Sequence, residues 1–340
     1  AARKAYDSLT DEEKKQVTNY STLLAAEKAY ADILKEAAKK LGDIYKTTGD
    51  YIEKLPGDEL NGFGSEWYIL GLARSGRKVS DDYYKAIEKY VSENIDENGR
   101  LDEKRATDNA KLVLVLSALD KDVTDVGGHD LLKALSDMDY VTQQGLSGAI
   151  YALLAFDCRG YDIPSADKNV EQTSREGLVK YILDKQLKDG GWAYSGDKAE
   201  PDMTAMALQA LAAYYKTDAK VKEAADKAVT CLSKLQNTTG GYDSYGSVNS
   251  ESAAQVITAL TALGIDPDND ARFVKNGASV LDSLCGFYVD GGGFRHVSDG
   301  KLDPTATAQG YYALAAYYRF AGSQTALYDM TDLDTVEKAA

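Results

Sequence analysis

Six stretches of this chain run almost without charge for about three helical turns each, and no other feature limits the possible folds so tightly. They begin near Glu66 (EWYILGLARSG), Thr107 (TDNAKLVLVLSAL), Gln144 (QGLSGAIYALLAF), Asp202 (DMTAMALQALAAYY), Glu251 (ESAAQVITALTALG) and Thr305 (TATAQGYYALAAYY). Each opens on polar or acidic residues and continues in Ala, Leu and Gly. A helix that is apolar nearly all round must be buried nearly all round. Between these stretches lie segments with one charged face, roughly 26–54, 81–95, 129–138, 170–187, 220–236 and 270–287. Their apolar residues recur at helical spacing, as Val179, Ile182 and Leu183 do, which marks half-exposed helices. Buried and half-buried helices therefore alternate six times. An all-α (α/α)6 toroid, six inner helices ringed by six outer ones, satisfies that pattern. An open solenoid of helix pairs is the rival, and it needs polar caps at both ends.

The pattern divides the chain into three parts. Residues 1–35 read as a short N-terminal helical hairpin, with Thr10 followed by Asp11 and Glu12 as a helix start. Residues 36–322 hold the toroid, and 323–340 read as a polar tail. The 340 residues carry a net charge of −15. With no basic stripe, that surface repels nucleic acid and anionic membranes. No apolar run is long enough to span a bilayer. Ala1-Ala2-Arg3-Lys4 leads directly into a polar helical pattern with no leader-like stretch, and an exported protein loses such a stretch on maturation. Three scattered cysteines, Cys158, Cys231 and Cys285, do not make a disulfide framework.

The linkers from outer to inner helices are glycine-rich: Asp189-Gly190-Gly191-Trp192, Thr239-Gly240-Gly241-Tyr242 and Gly291-Gly292-Gly293-Phe294. Glycine permits the reversal, and the aromatic residue can pin it to the helix ends. Within YILDKQLKDGGW, the residues Tyr181, Ile182, Gln186, Gly190 and Trp192 resemble the QW motif of squalene and terpenoid cyclases. Leu232, Gln236, Gly240 and Tyr242 repeat it. A third copy keeps Leu281 and Phe294 but has Cys285 in place of Gln, and a fourth, near Val91 to Leu101, has decayed. The resemblance covers about residues 40–320 and implies the α/α toroid shared by terpenoid cyclases, protein prenyltransferases and transcobalamin. In those families the motif is structural and carries no chemistry. The N-terminal stretch (AYDSLTDEEKKQVTNY) resembles helical repeats of bacterial surface proteins, which implies an extracellular or wall-attached protein with further domains.

In such a toroid the inner helices are parallel, so their N-terminal dipole ends share one rim. Glu66, Thr107, Asp108, Gln144, Glu200, Asp202, Asn249, Glu251 and Asp303 stand there. Helix capping explains each one singly, Asp303 before Pro304 being an instance. Together they would still line the mouth of any central cavity. Glu200-Pro201-Asp202-Met203-Thr204-Ala205 resembles the cyclase acid motif Asp-x-Asp-Asp-Thr-Ala. Asp202 is kept, Glu200 stands for the first Asp, and Met203 replaces the last carboxyl that a strong proton donor needs. If the chain were a cyclase, Asp202 and Glu200 would be its catalytic acids. The zinc set of a prenyltransferase is missing: no Asp-x-Cys opens an inner helix, and His296 lacks a thiolate partner. The Gly-Cys-Gly-Glu-Gln of thioester domains is also missing. Ser252-Ala253-Ala254-Gln255-Val256 and Pro201-Asp202-Met203-Thr204-Ala205 resemble transcobalamin segments that face a corrinoid. By that resemblance Asp202, Asn249, Glu251, Gln255 and Gln309 would face a ligand, although the loop before Asp202 (SGDKAE) has no histidine to ligate cobalt.

Asp266-Pro267-Asp268-Asn269-Asp270 alternates carboxylates as calcium loops do, but it lacks the glycine and distal Glu of an EF-hand, so a turn is expected. The chain has 24 Tyr against 6 Phe. Tyr194, Tyr242 and Tyr245 fall on rim loops, where they can stack on a sugar or a flat ligand, while Tyr311, Tyr312, Tyr317 and Tyr318 read as core. The expected function is a non-catalytic extracellular ligand-binding or adhesion module. Its small-molecule, corrinoid-like or glycan ligand would be held by Glu66, Asp108, Gln144, Tyr194, Asp202, Tyr242, Asn249, Glu251, Gln255, Asp303 and Gln309, with no metal or cofactor. Two alternatives stand beside it. One is a diverged cyclase or an (α/α)6 glycan-active enzyme pairing Glu200 or Asp202 with Glu251. The other is a structural spacer.

Overall fold

The computed structural model describes residues 6–168 and 170–333. Residues 1–5 of the expected N-terminal extension and 334–340 of the expected tail lie outside the described residues. The chain forms two compact units, residues 1–46 and 47–340. In the first unit, helix α1 (Asp11–Gln16) starts at a capping box. Thr10 Oγ1 accepts the Glu13 N–H while the Glu13 carboxylate accepts the Thr10 N–H. Tyr6 stacks on Tyr20, the first residue of α2 (Tyr20–Ile52), with ring centroids 4.1 Å apart.

The second unit contains α3 (Gly57–Leu60), α4 (Glu66–Arg74), α5 (Asp81–Asn94), α6 (Ala106–Ala118), α7 (Met138–Gln143), α8 (Leu146–Asp157), α9 (Arg175–Asp184), α10 (Pro201–Leu211), α11 (Ala219–Leu235), α12 (Ser250–Ala262), α13 (Val280–Cys285) and α14 (Pro304–Ala321). The uncharged stretches are α4, α6, α8, α10, α12 and α14. Each packs on the next, and α14 packs back on α4. That closed circuit is the inner layer of an α/α toroid and excludes the open solenoid. Small residues let these helices approach closely. A Cβ on Gly71 of α4 would lie 2.8 Å from the Tyr311 ring of α14, and one on Gly310 would lie 2.6 Å from the Phe294 ring.

The outer layer is less regular than its sequence pattern suggests. Residues 129–137 form no α-helix. Instead Val126 and His129 bridge across Gly127-Gly128, a 3-10 turn covers Ala134–Ser136, and α7 begins at Met138. The expected helix over 270–287 is confined to Val280–Cys285, because Lys275 and Ala278 close a two-residue turn on Asn276 (φ 50) and Gly277 (φ 83). Gly-Gly and Asn-Gly favour that tight reversal over helix, and here turn chemistry overrides amphipathic spacing. Residues 170–187 shorten in the same way to Arg175–Asp184.

One turn geometry recurs between the layers. The Leu187 N–H bonds to Gly191 O, Asn237 to Gly241 and Val289 to Gly293, at 2.8, 2.9 and 3.0 Å. The following aromatic residue, Trp192, Tyr242 or Phe294, is fully buried. Its carbonyl accepts the N–H of the residue that caps the next inner helix: Glu200, Asn249 or Asp303. Gln186 Nε2 donates to Gly190 O and Ala224 O, and Gln236 Nε2 to Gly240 O and Phe273 O, so each ties its turn to a neighbouring segment. The copy near 91–101 keeps the backbone alone: Asp96 N–H bonds to Arg100 O, and Leu101 N–H to Asn109 Oδ1.

The segment expected as a polar tail is packed where it is described. Leu327, Tyr328 and Met330 are buried. Buried Arg74 donates to Asp332 Oδ1 and to the carbonyls of Ala326 and Asp329, and Arg319 donates to Asp332 Oδ2 and Thr325 O. Two arginines thus clamp residues 325–332 to the inner ring. No helix of the described residues is long and apolar enough to cross a membrane.

Two outcomes test this architecture. Gly240 has φ +81 and sits against the Ser279 carbonyl, whereas Gly246 has φ +88 with open space around it. Chemical denaturation should show Gly240→Ala losing about 2–4 kcal/mol and Gly246→Ala only about 1 kcal/mol. Equal losses would mean that the close approach at Gly240 is not a determinant. Burial raises the Asp332 carboxyl pKa, but hydrogen bonds and charge from Arg319 and Arg74 outweigh that and leave it below 3.8. A depressed carboxyl stabilises the fold above its unfolded pKa and loses that contribution as pH falls through the folded value. Asp332→Asn should therefore cost about 2 kcal/mol at pH 7, with the difference from the parent shrinking below about pH 4.

Candidate functional site

The inner-helix starts touch one another around the ring, which puts them on one rim. Lys111 of α6 lies over Phe63, just before α4, at 5.0 Å. Gln144, at the entry to α8, accepts the Thr107 N–H of α6 (3.1 Å) and donates to Thr107 Oγ1 (2.9 Å). Ser147 of α8 meets Met203 of α10. Ser244 donates to Asp202 Oδ2 at 2.8 Å, joining the start of α10 to the hairpin of β1 (Asp243–Ser244) and β2 (Ser247–Val248) that precedes α12. The Ser250 N–H bonds to His296 O, and His296 Nδ1 lies 2.8 Å from Glu251 Oε2, joining α12 to the loop before α14. The Trp67 ring of α4 meets Tyr312 of α14 edge-on at 6.0 Å.

Inside this rim the ring is floored rather than hollow. Trp67 also meets Tyr151 of α8, at 5.8 Å. Gln255 Nε2 donates to Tyr312 Oη (2.7 Å) and Gln309 Oε1 (3.1 Å), and its Oε1 accepts from Gln209 Nε2 (2.9 Å). These amides and phenols knit α10, α12 and α14 across the centre. Tyr328 of the clamped segment closes the opposite end. There it lines a cavity of about 300 Å³ with Leu154, Gln209 and Thr258. Burial, and then the neighbouring Tyr151 phenol, raises its hydroxyl well above the usual range. Trp67, Ser147, Tyr151, Met206 and Gln309 remain half-buried. Together they form a partly open layer of aromatic and amide side chains beneath the rim, termed the cup below.

The expected site residues fall into two sets. Asp202, Glu251, Gln144, Gln309 and Tyr194 are at the rim or cup with some surface open. Glu66 (2% exposed) instead accepts the Gly64 N–H. Asp108 (4% exposed) is paired with Arg105 and Lys111. Tyr242 is wholly enclosed, with its hydroxyl unpartnered, so it supports the turn and does not face solvent. Asn249 caps α12 through the Ser252 N–H, and Asp303 caps α14 through the Ala306 N–H. Gln255 is buried beneath the cup and orients Gln309 and Tyr312. Glu200 accepts the Tyr194 N–H at 3.0 Å. Sequence reasoning passed over Trp67, Tyr151 and Met206, which sit one or two helical turns into uncharged stretches and read there as core.

Other chemistry finds little support in the geometry. Among the described residues, no group of three His, Cys, Asp or Glu side chains stands close enough to hold a metal. In the 266–270 loop, Asp266 accepts backbone N–H groups, Asp268 accepts Ser279 Oγ and Asp270 pairs with Arg272, as in a turn. Burial pushes the Cys158 thiol up to about 12 and that of Cys231 to about 11, far from a reactive thiolate.

Comparison with known proteins agrees with this architecture. No protein-family model matches the sequence, and no curated protein matches it. Among solved structures, the protein geranylgeranyltransferase-I of Candida albicans superposes with a TM-score of 0.53 at 13% identity, covering 82% of this chain and 91% of that one. The ent-copalyl diphosphate synthase of Streptomyces platensis gives 0.48 at 17% identity over 76% of this chain. This chain spans half the length of that synthase. The closed inner ring, the amphipathic outer layer and the superposition on the geranylgeranyltransferase together show that the chain has an α/α-toroid fold similar to that of the transferase.

Proposed function

We propose that the protein is a non-catalytic ligand-binding or adhesion module of a bacterial surface protein, and that its small-molecule or glycan ligand sits in the cup at the inner-helix rim. The observation that carries this reading is the cup itself. Half-buried Trp67 and Tyr151 form an aromatic floor with the Gln309 amide, and Asp202 and Glu251 belong to the helix starts of the rim. Aromatic faces with a few fixed polar groups suit a ring-shaped, hydroxyl-bearing ligand. The acid motif argues against proton donation to an alkene. Met203 is buried against Ser147, and Asp202 accepts a hydrogen bond from Ser244 with no second carboxyl bonded to it. A corrinoid would find no axial histidine in the loop before Asp202, which reads SGDKAE. The surface-type N-terminal sequence and the net charge of −15 favour an extracellular setting.

A thermal-shift screen of glycans and small metabolites tests the cup. A hit should lose its stabilisation, by about tenfold in affinity, in Trp67→Ala and Gln309→Ala. A hit indifferent to both places the ligand elsewhere. The cyclase alternative draws on Asp202 at the start of an inner helix, which forms no ion pair among the described residues. Incubation with geranylgeranyl diphosphate and with squalene should yield no cyclised product, and a product abolished by Asp202→Asn would replace the binding reading.

A further inference from the structure

The two most exposed large apolar side chains of the rim flank the start of α10. Tyr194 is 70% exposed and Tyr245 is 85% exposed. Carboxylates two residues apart bond to the segments that carry them. Glu200 Oε2 accepts the Tyr194 N–H, and Asp202 Oδ2 accepts the hydroxyl of Ser244, which precedes Tyr245. Tyr245 sits at the hairpin tip with φ +54, a conformation that disfavours any side chain with a Cβ. A glycine would fit the turn better, so the ring is displayed against a local cost. Among the described residues neither Glu200 nor Asp202 has an ion-pair partner, and Glu200 Oε1 and Asp202 Oδ1 accept no hydrogen bond. Glu200, with Asp202 and Tyr194 adding, raises the Tyr245 phenol above its usual range, in keeping with one shared patch. The two segments that carry these tyrosines, 193–199 and 243–248, also contain Asp197, Asp243 and one basic residue, Lys198.

The patch is rich in acceptors and poor in donors. A sugar presents both donors and acceptors, whereas a guanidinium presents five N–H donors and no acceptor, carries positive charge, and stacks on aromatic faces. We infer that Tyr194, Tyr245, Glu200 and Asp202 form a cation-accepting clamp for an arginine side chain on a basic segment of a partner protein. This deepens the reading of the rim as the binding face. It places the partner's arginine on the tyrosine-bearing edge, outside the cup.

Surface plasmon resonance on the full chain, with a peptide of three arginines spaced by Gly-Ser pairs, tests the clamp. Binding is expected to weaken as salt rises and to vanish for the citrulline peptide of the same shape. Tyr194→Ala and Tyr245→Gly should each weaken it about fivefold, the latter without disturbing the hairpin. Glu200→Gln with Asp202→Asn should weaken it further, whereas the charge-matched control Glu97→Gln, exposed in another rim loop, should leave it unchanged. Equal binding of the citrulline peptide, an equal loss in Glu97→Gln, or indifference to both tyrosines would overturn the clamp. If the peptide fails while a ligand sensitive to Trp67 and Gln309 is found, the cation assignment falls and the cup remains.

Discussion

Closure of the inner ring is the constraint on which the rest of the second unit depends. α14 must reach α4 after four intervening inner helices, and it does so through a close contact in which Tyr311 lies on Gly71 and its hydroxyl meets Ser75 Oγ at 2.9 Å. Further along, Arg319 donates to the Arg74 carbonyl at the end of α4. Once the ring closes, the starts of the inner helices are forced to one side, and capping groups from distant parts of the chain become neighbours. Asp202 and Ser244, or Glu251 and His296, meet for this reason alone.

The glycine turns keep that ring in register. Each presents a buried aromatic residue whose carbonyl receives the capping residue of the next inner helix, so outer helix, turn and inner helix form one hydrogen-bonded unit. Gln186 and Gln236 extend the unit sideways by donating to carbonyls beyond their own turns. The copy near Gly99 keeps the backbone bonds with Leu101 in the aromatic position and Asn109 supplying the side-chain acceptor. The geometry therefore survives replacement of nearly every side chain that makes the motif visible.

The same closure shapes what the molecule can bind. Six inner helices leave an axial space. Gln255, Tyr312 and Tyr151 fill its middle, and the clamped Tyr328 seals one end, leaving the cup on the rim. Filling the axis with hydrogen-bonded amides and phenols stiffens the floor. The adaptable groups are thereby confined to the rim loops, where Tyr194 and Tyr245 are displayed.

Much of this architecture was legible in residue patterns. Stretches without charge such as LVLVLSAL had to be buried all round, and their alternation with one-faced helices fixed which elements lie inside. Asp303 before Pro304 and Asn249 before Ser250 announced helix starts, because capping is local chemistry. Residues 129–138 and 270–279 misled, since helical spacing was visible while the Gly-Gly and Asn-Gly turns beside it decide the local backbone. The tail misled because Leu327, Tyr328 and Met330 gain burial only from a ring end that the local sequence does not show. The site was legible in outline, as a rim of polar helix starts. Which rim residues face outward was not: Tyr242 and Tyr194 follow similar glycine turns, yet one is enclosed and the other exposed. Composition and periodicity determine which helices exist and which faces they bury. Only tertiary packing decides which neighbours a side chain meets, because those neighbours come from segments far apart in the chain.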